Sequence, residues 1–127
     1  MTDRATMQSI ITALHEHRIA GELDRLCALF ASDASFRIAG TSDGKPVAIS
    51  ARGAADIRSW LSMLVKTFKL SGYRLLSSVI ESNRAAVHWR VDIHSKVTGG
   101  VVGTELVDLI EVCDGRIASY VEFFVPC

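Results

Sequence analysis

The second half of the chain consists of four strand-like runs separated by tight turns, and this pattern restricts the fold more than any other sequence feature. The runs are rich in Val, Ile and aromatic residues, and the turns are short pairs such as Asp114-Gly115. Such turns return the chain beside itself, so consecutive strands are expected to pair antiparallel. The last three runs are long enough for the sheet to curl. The predicted strands are 73–81, 85–97, 101–113 and 116–125.

The first half carries helical periodicity. Apolar residues spaced i, i+3, i+4 predict one helix around 7–14, a second around 23–30 and a third after Gly53, with short strands at 35–39 and 46–50. This order predicts an α+β fold, in which a curved antiparallel sheet carries three N-terminal helices on its concave face. A cone of this kind would enclose a pocket for a small apolar ligand. The stripe of the third helix is Ile57, Trp60, Leu61, Leu64, Val65 and Phe68.

Composition excludes several classes of function. The 127 residues have a formal net charge of zero and no Lys/Arg cluster, so nucleic acid is not an expected partner. No apolar run approaches the roughly 20 residues that span a bilayer, so we expect no membrane partner. No apolar signal segment follows the N-terminal residues 1–4, which favours the cytoplasm. The length fits a single domain over residues 1–127.

Neither a metal nor a cofactor is expected. The three cysteines lie too far apart for a disulfide framework or for a metal-binding Cys-x-x-Cys pair. His88, Asp92 and His94 are suitable ligand types, but their spacing along one strand is too wide for a single ion. The cysteines are Cys27, Cys113 and Cys127.

The predicted strand 85–97 alternates strictly between an ionisable face and an apolar face. The ionisable face carries His88, Arg90, Asp92 and His94, and the apolar face carries Val87, Trp89, Val91 and Ile93. In a sheet covered on one side, the ionisable face would be turned to water. If helices cover the concave face and a second copy of the chain covers the convex face, the ionisable face would instead line the pocket. The pattern alone leaves both alternatives open.

Motifs along nearly the whole chain resemble one superfamily. They are two short helices, the strand start Asp-Ala-Ser-Phe at 33–36, a helix after a glycine, and a meander ending in Asp-Gly-Arg-Ile-x-x-Tyr-x-Glu-Phe-Phe. These resemble the nuclear transport factor two-like superfamily, which includes ketosteroid isomerases, SnoaL-like polyketide cyclases, scytalone dehydratase and limonene epoxide hydrolase. The resemblance implies a small cofactor-independent isomerase, cyclase, dehydratase or epoxide hydrolase. Its substrate would be an apolar cyclic, polyketide-like or terpenoid-like molecule.

Two tripeptides resemble one member of this superfamily more closely than the others. Arg-Val-Asp at 90–92 and Glu-Phe-Phe at 122–124 resemble the Arg-x-Asp and the second acid of limonene epoxide hydrolases in type and separation. The resemblance implies that Asp92 and Glu122 form an acid/base pair with Arg90 between them. Where those hydrolases hold the attacking water, this chain has Phe36 and Ile38, which can hold none. Proton transfer at a carbon acid, the commoner chemistry of the superfamily that the chain resembles, needs no such water.

Two carboxyl groups in one apolar pocket can divide the acid and base roles. Arg90 would keep Asp92 ionised as the base, and burial beside Tyr120 and Phe124 would keep Glu122 protonated as an acid or oxyanion donor. Ketosteroid isomerase divides its two carboxyl groups in the same way.

Further residues are expected to contact the substrate. Asp108 lies in the apolar run 106–110 and is the second acid to consider. His15 and His17 lie on the flanks of the first helical stripe, where surface or boundary positions are expected. The remaining expected pocket residues are Phe36, Trp60, Leu64, His88, His94, Tyr120 and Phe124.

Two other functions fit the same fold. The chain could be a non-catalytic module that binds small molecules or dimerises, or it could have a transport or scaffold role. The expected partners are an apolar small molecule and a second copy of the chain bound through the convex sheet face.

Overall fold

The computed structural model describes residues 2–127, which form three helices and six strands. The helices and the first two strands come first, and four long strands complete the chain. The elements are α1 Arg4–Ala20, α2 Leu23–Ala28, β1 Phe30–Ser42, β2 Lys45–Arg52, α3 Ala54–Thr67, β3 Phe68–Glu81, β4 Arg84–Ser95, β5 Val101–Cys113 and β6 Arg116–Pro126.

The strands form one curved, unclosed sheet in the order β2-β1-β6-β5-β4-β3. The predicted antiparallel meander is confirmed by the pairing of β3 with β4, β4 with β5 and β5 with β6. The β1–β2 hairpin extends this meander, with β1 parallel to β6. Tight turns at Asp43-Gly44 and Asp114-Gly115 have positive φ at both positions, which matches the twist of hairpin strands. The predicted α+β class is therefore confirmed.

Helix α1 lies against one face of the sheet, which is called the inner face here, and the opposite face is called the outer face. Asp3 caps its first turn by accepting a hydrogen bond from the Thr6 amide at 2.8 Å, and Gly21 ends it in the left-handed conformation with φ 72°. The side chains that α1 buries are Met7, Ile10, Ile11, Leu14 and His15. His15 was expected at the surface or the boundary, and that expectation is wrong because its ring packs among aromatic residues of the sheet.

Strand β4 turns its apolar side inward. Val87, Trp89 and Val91 are completely or almost completely buried, whereas the alternating ionisable side chains lie on the outer face. The cross-strand partner of Val87 is Asp108, and the partner of Asp108 is Glu122, so these residues share the inner face. No helix within residues 2–127 is long and apolar enough to cross a membrane.

Candidate functional site

The inner face of the sheet carries a buried cluster of polar side chains. Its central pair consists of Asp108 on β5 and Glu122 on β6, which are directly opposed in the antiparallel register. Their exposed fractions are 0% and 1%. The other members of the cluster are His15 and Arg18 from α1, Tyr73 from β3, Trp89 from β4 and Tyr120 from β6.

The two oxygens of the Asp108 carboxyl have different surroundings. Oδ2 accepts a hydrogen bond from Trp89 Nε1 at 3.0 Å and lies 3.1 Å from His15 Nε2. Oδ1 is buried and accepts no hydrogen bond from any of residues 2–127. A buried acceptor without a donor costs about 1–3 kcal/mol, so such atoms are uncommon in native structures. Oδ2 is therefore anchored, whereas Oδ1 is available.

Glu122 is held by two donors. Arg18 and the Tyr120 hydroxyl both donate to Oε2 of Glu122, and Arg18 also donates to the Tyr120 oxygen at 3.3 Å. The guanidinium of Arg18 lies 5.6 Å from the centre of the Trp89 ring, within the range of a cation–π contact. The Tyr120 ring stacks on Phe36 with centroids 5.5 Å apart. The carboxyl of Glu122 is thus fixed in position by α1 and by its own strand.

The pKa values in this cluster depend on burial and on one cation. Burial raises the pKa of Asp108 to about 6, although Arg18 opposes the shift. Burial also raises the pKa of Glu122. Arg18 opposes this shift, and the charge of Asp108 adds to it. Burial works against the charge of Arg18, yet its Glu122 partner raises the pKa of the guanidinium above its ordinary value. The two acids therefore titrate as a coupled pair beside a permanent positive charge.

His15 is neutral at physiological pH. Burial, assisted by the charge of Arg18, lowers the pKa of the imidazole to about 4. A neutral ring has one donor nitrogen and one acceptor nitrogen. When Asp108 is ionised, Nε2–H donates to Asp108, so Nδ1 must accept from the Tyr73 hydroxyl, 2.7 Å away. Tyr73 is 37% exposed, so a continuous chain of hydrogen bonds joins the surface to the buried acid.

Arg90 and Asp92 do not converge with Glu122, and the prediction that they do is wrong. Their side chains are 36% and 39% exposed on the outer face, where Arg90 donates to Asp92 at 3.4 Å. His88 pairs with Glu105 at 3.0 Å on the same face. The physical reason is that the helices cover the Trp89 side of β4, so its alternating partners point away from the acid pair. His94 also lies on this outer face, opposite Val101 in the register.

The other expected residues divide into two groups. Asp108, Glu122, Tyr120 and Phe36 are buried together on the inner face. The second group is half-buried and packs against the apolar core without a hydrogen bond or ring contact to the acid pair. It consists of Trp60, Leu64 and Phe124.

Four members of the cluster were missed at the level of sequence: His15, Arg18, Tyr73 and Trp89. A signal for two of them was present. His15 and Arg18 follow Ile11 at i+4 and i+7, so they continue a buried line on α1. Because both side chains are polar, the apolar periodicity of α1 did not extend to them. Tyr73 and Trp89 gave no comparable signal, because strand alternation does not reveal which polar groups lie beside them.

The acid pair lies apart from two open depressions at the surface. One, of about 450 Å³, is lined on the outer face by residues that include Val79, Ala86, Leu109 and Val121. The other, of about 430 Å³, lies beside the first turn of α1. Within residues 2–127, no group of three or more His, Cys, Asp or Glu side chains is arranged to hold a metal ion.

Sequence comparison identifies a family. The family model described as "SnoaL-like domain" matches residues 10–120, which is most of the chain. The sequence matches no curated protein.

Solved structures share the fold. A Bacillus subtilis protein described as "Putative Isomerase" has a TM-score of 0.82 and 21% identity, with 98% of this chain and 89% of that chain covered. An "NTF2-like protein" from Burkholderia xenovorans LB400 has a TM-score of 0.78 and 20% identity, with coverage of 98% and 92%. An M. tuberculosis "LEH-like epoxide hydrolase" has a TM-score of 0.69 and 15% identity, with coverage of 91% and 80%. At these identities the likeness establishes the fold alone.

Proposed function

The chain belongs to the SnoaL-like domain family, within the superfamily that its motifs predicted, and on this premise we propose that it is a small enzyme that transfers protons on an organic substrate. Asp108 and Glu122 would be its acid/base pair. The observation that carries the proposal is the opposition of two buried carboxyl groups, one of which has an oxygen without a donor. Buried acids of this kind, with pKa values moved toward neutrality, are typical of active sites.

Asp108 has the properties of a general base. A pKa of about 6 leaves it mostly ionised at pH 7 yet basic enough to hold a proton briefly. In the proposed step, Oδ1 takes a proton from a carbon next to a carbonyl group, and the electron pair moves to the carbonyl oxygen. The proton then returns to a different carbon, so the net reaction is an isomerisation. A positioned base of this type contributes about 10²–10⁴-fold to the rate.

Glu122 and its donors would stabilise the charge that develops on the substrate oxygen. Tyr120 and Arg18 donate to Oε2 of Glu122 and so hold its carboxyl group in a region without solvent, where a hydrogen bond to an oxyanion is worth more than in water. A protonated Glu122 would supply that hydrogen bond through its other oxygen, and burial favours the protonated form. The surrounding rings of Phe30, Phe36 and Trp89 favour an apolar, cyclic substrate. Because the acids are almost fully buried, the covering side chains must move for a substrate to enter.

The test measures proton abstraction directly. A panel of cyclic ketones is incubated with the protein in D₂O, and deuterium at the carbon next to the carbonyl is followed by NMR. We expect exchange with the wild-type protein and a loss of at least about 100-fold in Asp108→Asn, by the usual contribution of a general base. Asp92→Asn is the matched control, because it makes the same change on the outer face and should retain full exchange. Full exchange in Asp108→Asn would contradict the proposal.

A non-catalytic binding module is the second candidate. It is favoured by the mutual hydrogen bonds of the cluster, since Arg18 with Glu122 and His15 with Asp108 could serve only to stabilise the core. This function predicts that a ketone binds to the protein, shown by a change in tryptophan fluorescence, while no deuterium enters the ketone.

We also propose that a second copy of the chain covers the outer face. Val79, Leu109, Phe123 and Val125 are exposed there and form an apolar surface. Both acidic and basic side chains border it, namely Glu81, Arg84 and Glu111 beside the depression of about 450 Å³. A surface with both signs of charge can pair with itself about a two-fold axis, as homodimers require.

A further inference from the structure

A chain of three side chains runs from the surface to the acid pair. The Tyr73 hydroxyl lies 2.7 Å from His15 Nδ1, and His15 Nε2 lies 3.1 Å from Asp108 Oδ2. The imidazole is held between two rings, with its centroid 4.4 Å from Trp89 and 5.3 Å from Tyr73. Both ring nitrogens therefore stay within hydrogen-bond distance of their partners. The three residues come from three different elements.

We propose that Tyr73 and His15 carry protons between solvent and Asp108. This inference rests on the proposed function, because it gives Asp108 a route for exchanging the proton that it takes from a substrate. It also separates the tasks of the two carboxyl oxygens. Oδ1, which has no donor, would meet the substrate, whereas Oδ2 would connect to the relay.

The relay moves one proton without forming a charged ring. When Asp108 is protonated, its Oδ2–H donates to Nε2 and the ring Nδ1–H donates to the Tyr73 oxygen. A proton taken on Oδ1 is brought to His15 by rotation of the carboxyl group about Cβ–Cγ, which exchanges the two oxygens. Unloading then has three linked steps: the carboxyl proton passes to Nε2, Nδ1–H passes to the Tyr73 oxygen, and the former Tyr73 proton passes to water. The products are an Asp108 carboxylate, the Nε2–H tautomer of His15 and a neutral Tyr73. Loading is the reverse, so every bond that breaks is balanced by one that forms.

The surroundings favour this neutral route over an imidazolium. The charged and titratable groups around His15 are Arg18 on its own helix, Tyr73 on β3, Asp108 on β5, and Tyr120 and Glu122 on β6. Burial and Arg18 lower the pKa of His15 to about 4, which is below the value of about 6 for Asp108. Between these two values the acid is protonated while the ring stays neutral. Protonation of Asp108 on Oδ2 must then be accompanied by a change of ring tautomer.

That tautomer change is the test. ¹⁵N NMR of the uniformly labelled protein is recorded from pH 8 to pH 5, and the His15 signals are identified by their loss in His15→Gln. We expect a proton on Nε2 at pH 8 and a proton on Nδ1 at pH 5. Retention of the Nε2–H tautomer throughout, or a cationic ring at pH 5, would overturn the relay. This measurement tests the buried end of the chain, between His15 and Asp108.

A second measurement tests the surface end of the chain. In Tyr73→Phe, exchange of the His15 ring proton with water should slow by at least tenfold, because the hydroxyl that hands the proton to water is absent. Ser77→Ala is the matched control, since it removes an exposed hydroxyl from the same strand and should leave exchange unchanged. An unchanged rate in Tyr73→Phe would contradict the relay.

The two proposals fail in different ways. If Asp108→Asn abolishes deuterium exchange into ketones while His15 keeps one tautomer, the relay alone is wrong. If the tautomer changes while Asp108→Asn retains full exchange, the relay exists and the catalytic role of Asp108 is wrong.

Discussion

Asp108 and Glu122 oppose each other across two central strands, and Arg18, which lies 104 positions before Glu122 in the chain, brings a permanent positive charge into contact with Glu122. Two carboxyl groups so close in a dry interior cannot both ionise freely. Arg18 offsets part of this cost, and burial raises the pKa of both acids. This relationship gives the fold a strongly pH-dependent core, and the predictions below follow from it.

Replacing Asp108 with Asn should stabilise the protein at neutral pH. The pKa of Asp108 is raised from 3.8 to about 6, so its ionisation costs the folded state about 3 kcal/mol at pH 7. An amide of the same shape avoids that cost and can still accept the hydrogen bond from Trp89. We expect the free energy of unfolding in urea to rise by up to about 3 kcal/mol at pH 7. A clear loss of stability at pH 7 would show that the carboxylate is favourable where it lies.

The pH dependence of that effect has a definite sign. With a raised pKa, the folded state binds the Asp108 proton more tightly than the unfolded state, so the wild type gains stability from this group as pH falls from 7 toward 4. Asp108→Asn lacks this gain. The difference in free energy of unfolding between variant and wild type should therefore shrink as pH falls, which urea titrations at pH 7, 6, 5 and 4 will measure.

Replacing His15 with Gln should produce the opposite trend. The pKa of His15 is lowered from 6.5 to about 4, so the unfolded state binds this proton more tightly. The wild type consequently loses about 3 kcal/mol from this group as pH falls from 6.5 to 4. His15→Gln escapes that loss, and its stability relative to wild type should improve as pH falls. His88→Gln, at a half-exposed histidine of the outer face, is the control and should show no such improvement.

Removing Arg18 should be strongly destabilising, and removing its partner as well should restore much of the loss. Arg18→Met leaves Glu122 as a buried acid without its cation, which typically costs about 3–5 kcal/mol. The pKa values of both Asp108 and Glu122 should rise, because Arg18 lowers both. The double variant Arg18→Met/Glu122→Leu replaces the ion pair by apolar groups and should recover most of the stability in thermal unfolding. Equal losses in the single and double variants would contradict this account.

The outer-face pair should matter little for stability. Arg90 and Asp92 are both more than one-third exposed, and exposed ion pairs contribute about 0–1 kcal/mol. Arg90→Ala is therefore expected to change the free energy of unfolding by less than about 1 kcal/mol, in contrast with Arg18→Met. A loss as large as that of Arg18→Met would show that the outer face is buried in an assembly.

The self-association proposed for the outer face can be measured by sedimentation. The wild type should sediment as a dimer at micromolar concentration. Leu109→Glu places a charge at the centre of the exposed apolar surface and should give a monomer with unchanged helix and strand content. Glu16→Lys, at an exposed position on α1, is the control for a charge change elsewhere. A wild-type monomer would exclude this role for the outer face.

The sequence determined the elements and their order. Local turn signals and apolar periods were enough for the meander and the helices, since both depend on residues close together in the chain. They were also enough to make Asp108 and Glu122 conspicuous as acids within apolar runs. The strand β1 was longer than its local pattern indicated, because its hydrogen bonds come from β6 at the other end of the chain.

Only the tertiary structure decided which charges meet. Alternation along β4 shows that the strand has two different faces, but it does not show which of them the helices cover. Arg90 and Asp92 could therefore be assigned to the wrong side. The partners of the acids are His15 and Arg18, and each lies more than 90 positions away from the carboxyl that it touches. A local pattern carries no information about such pairs, because their meeting depends on how a helix packs on the sheet.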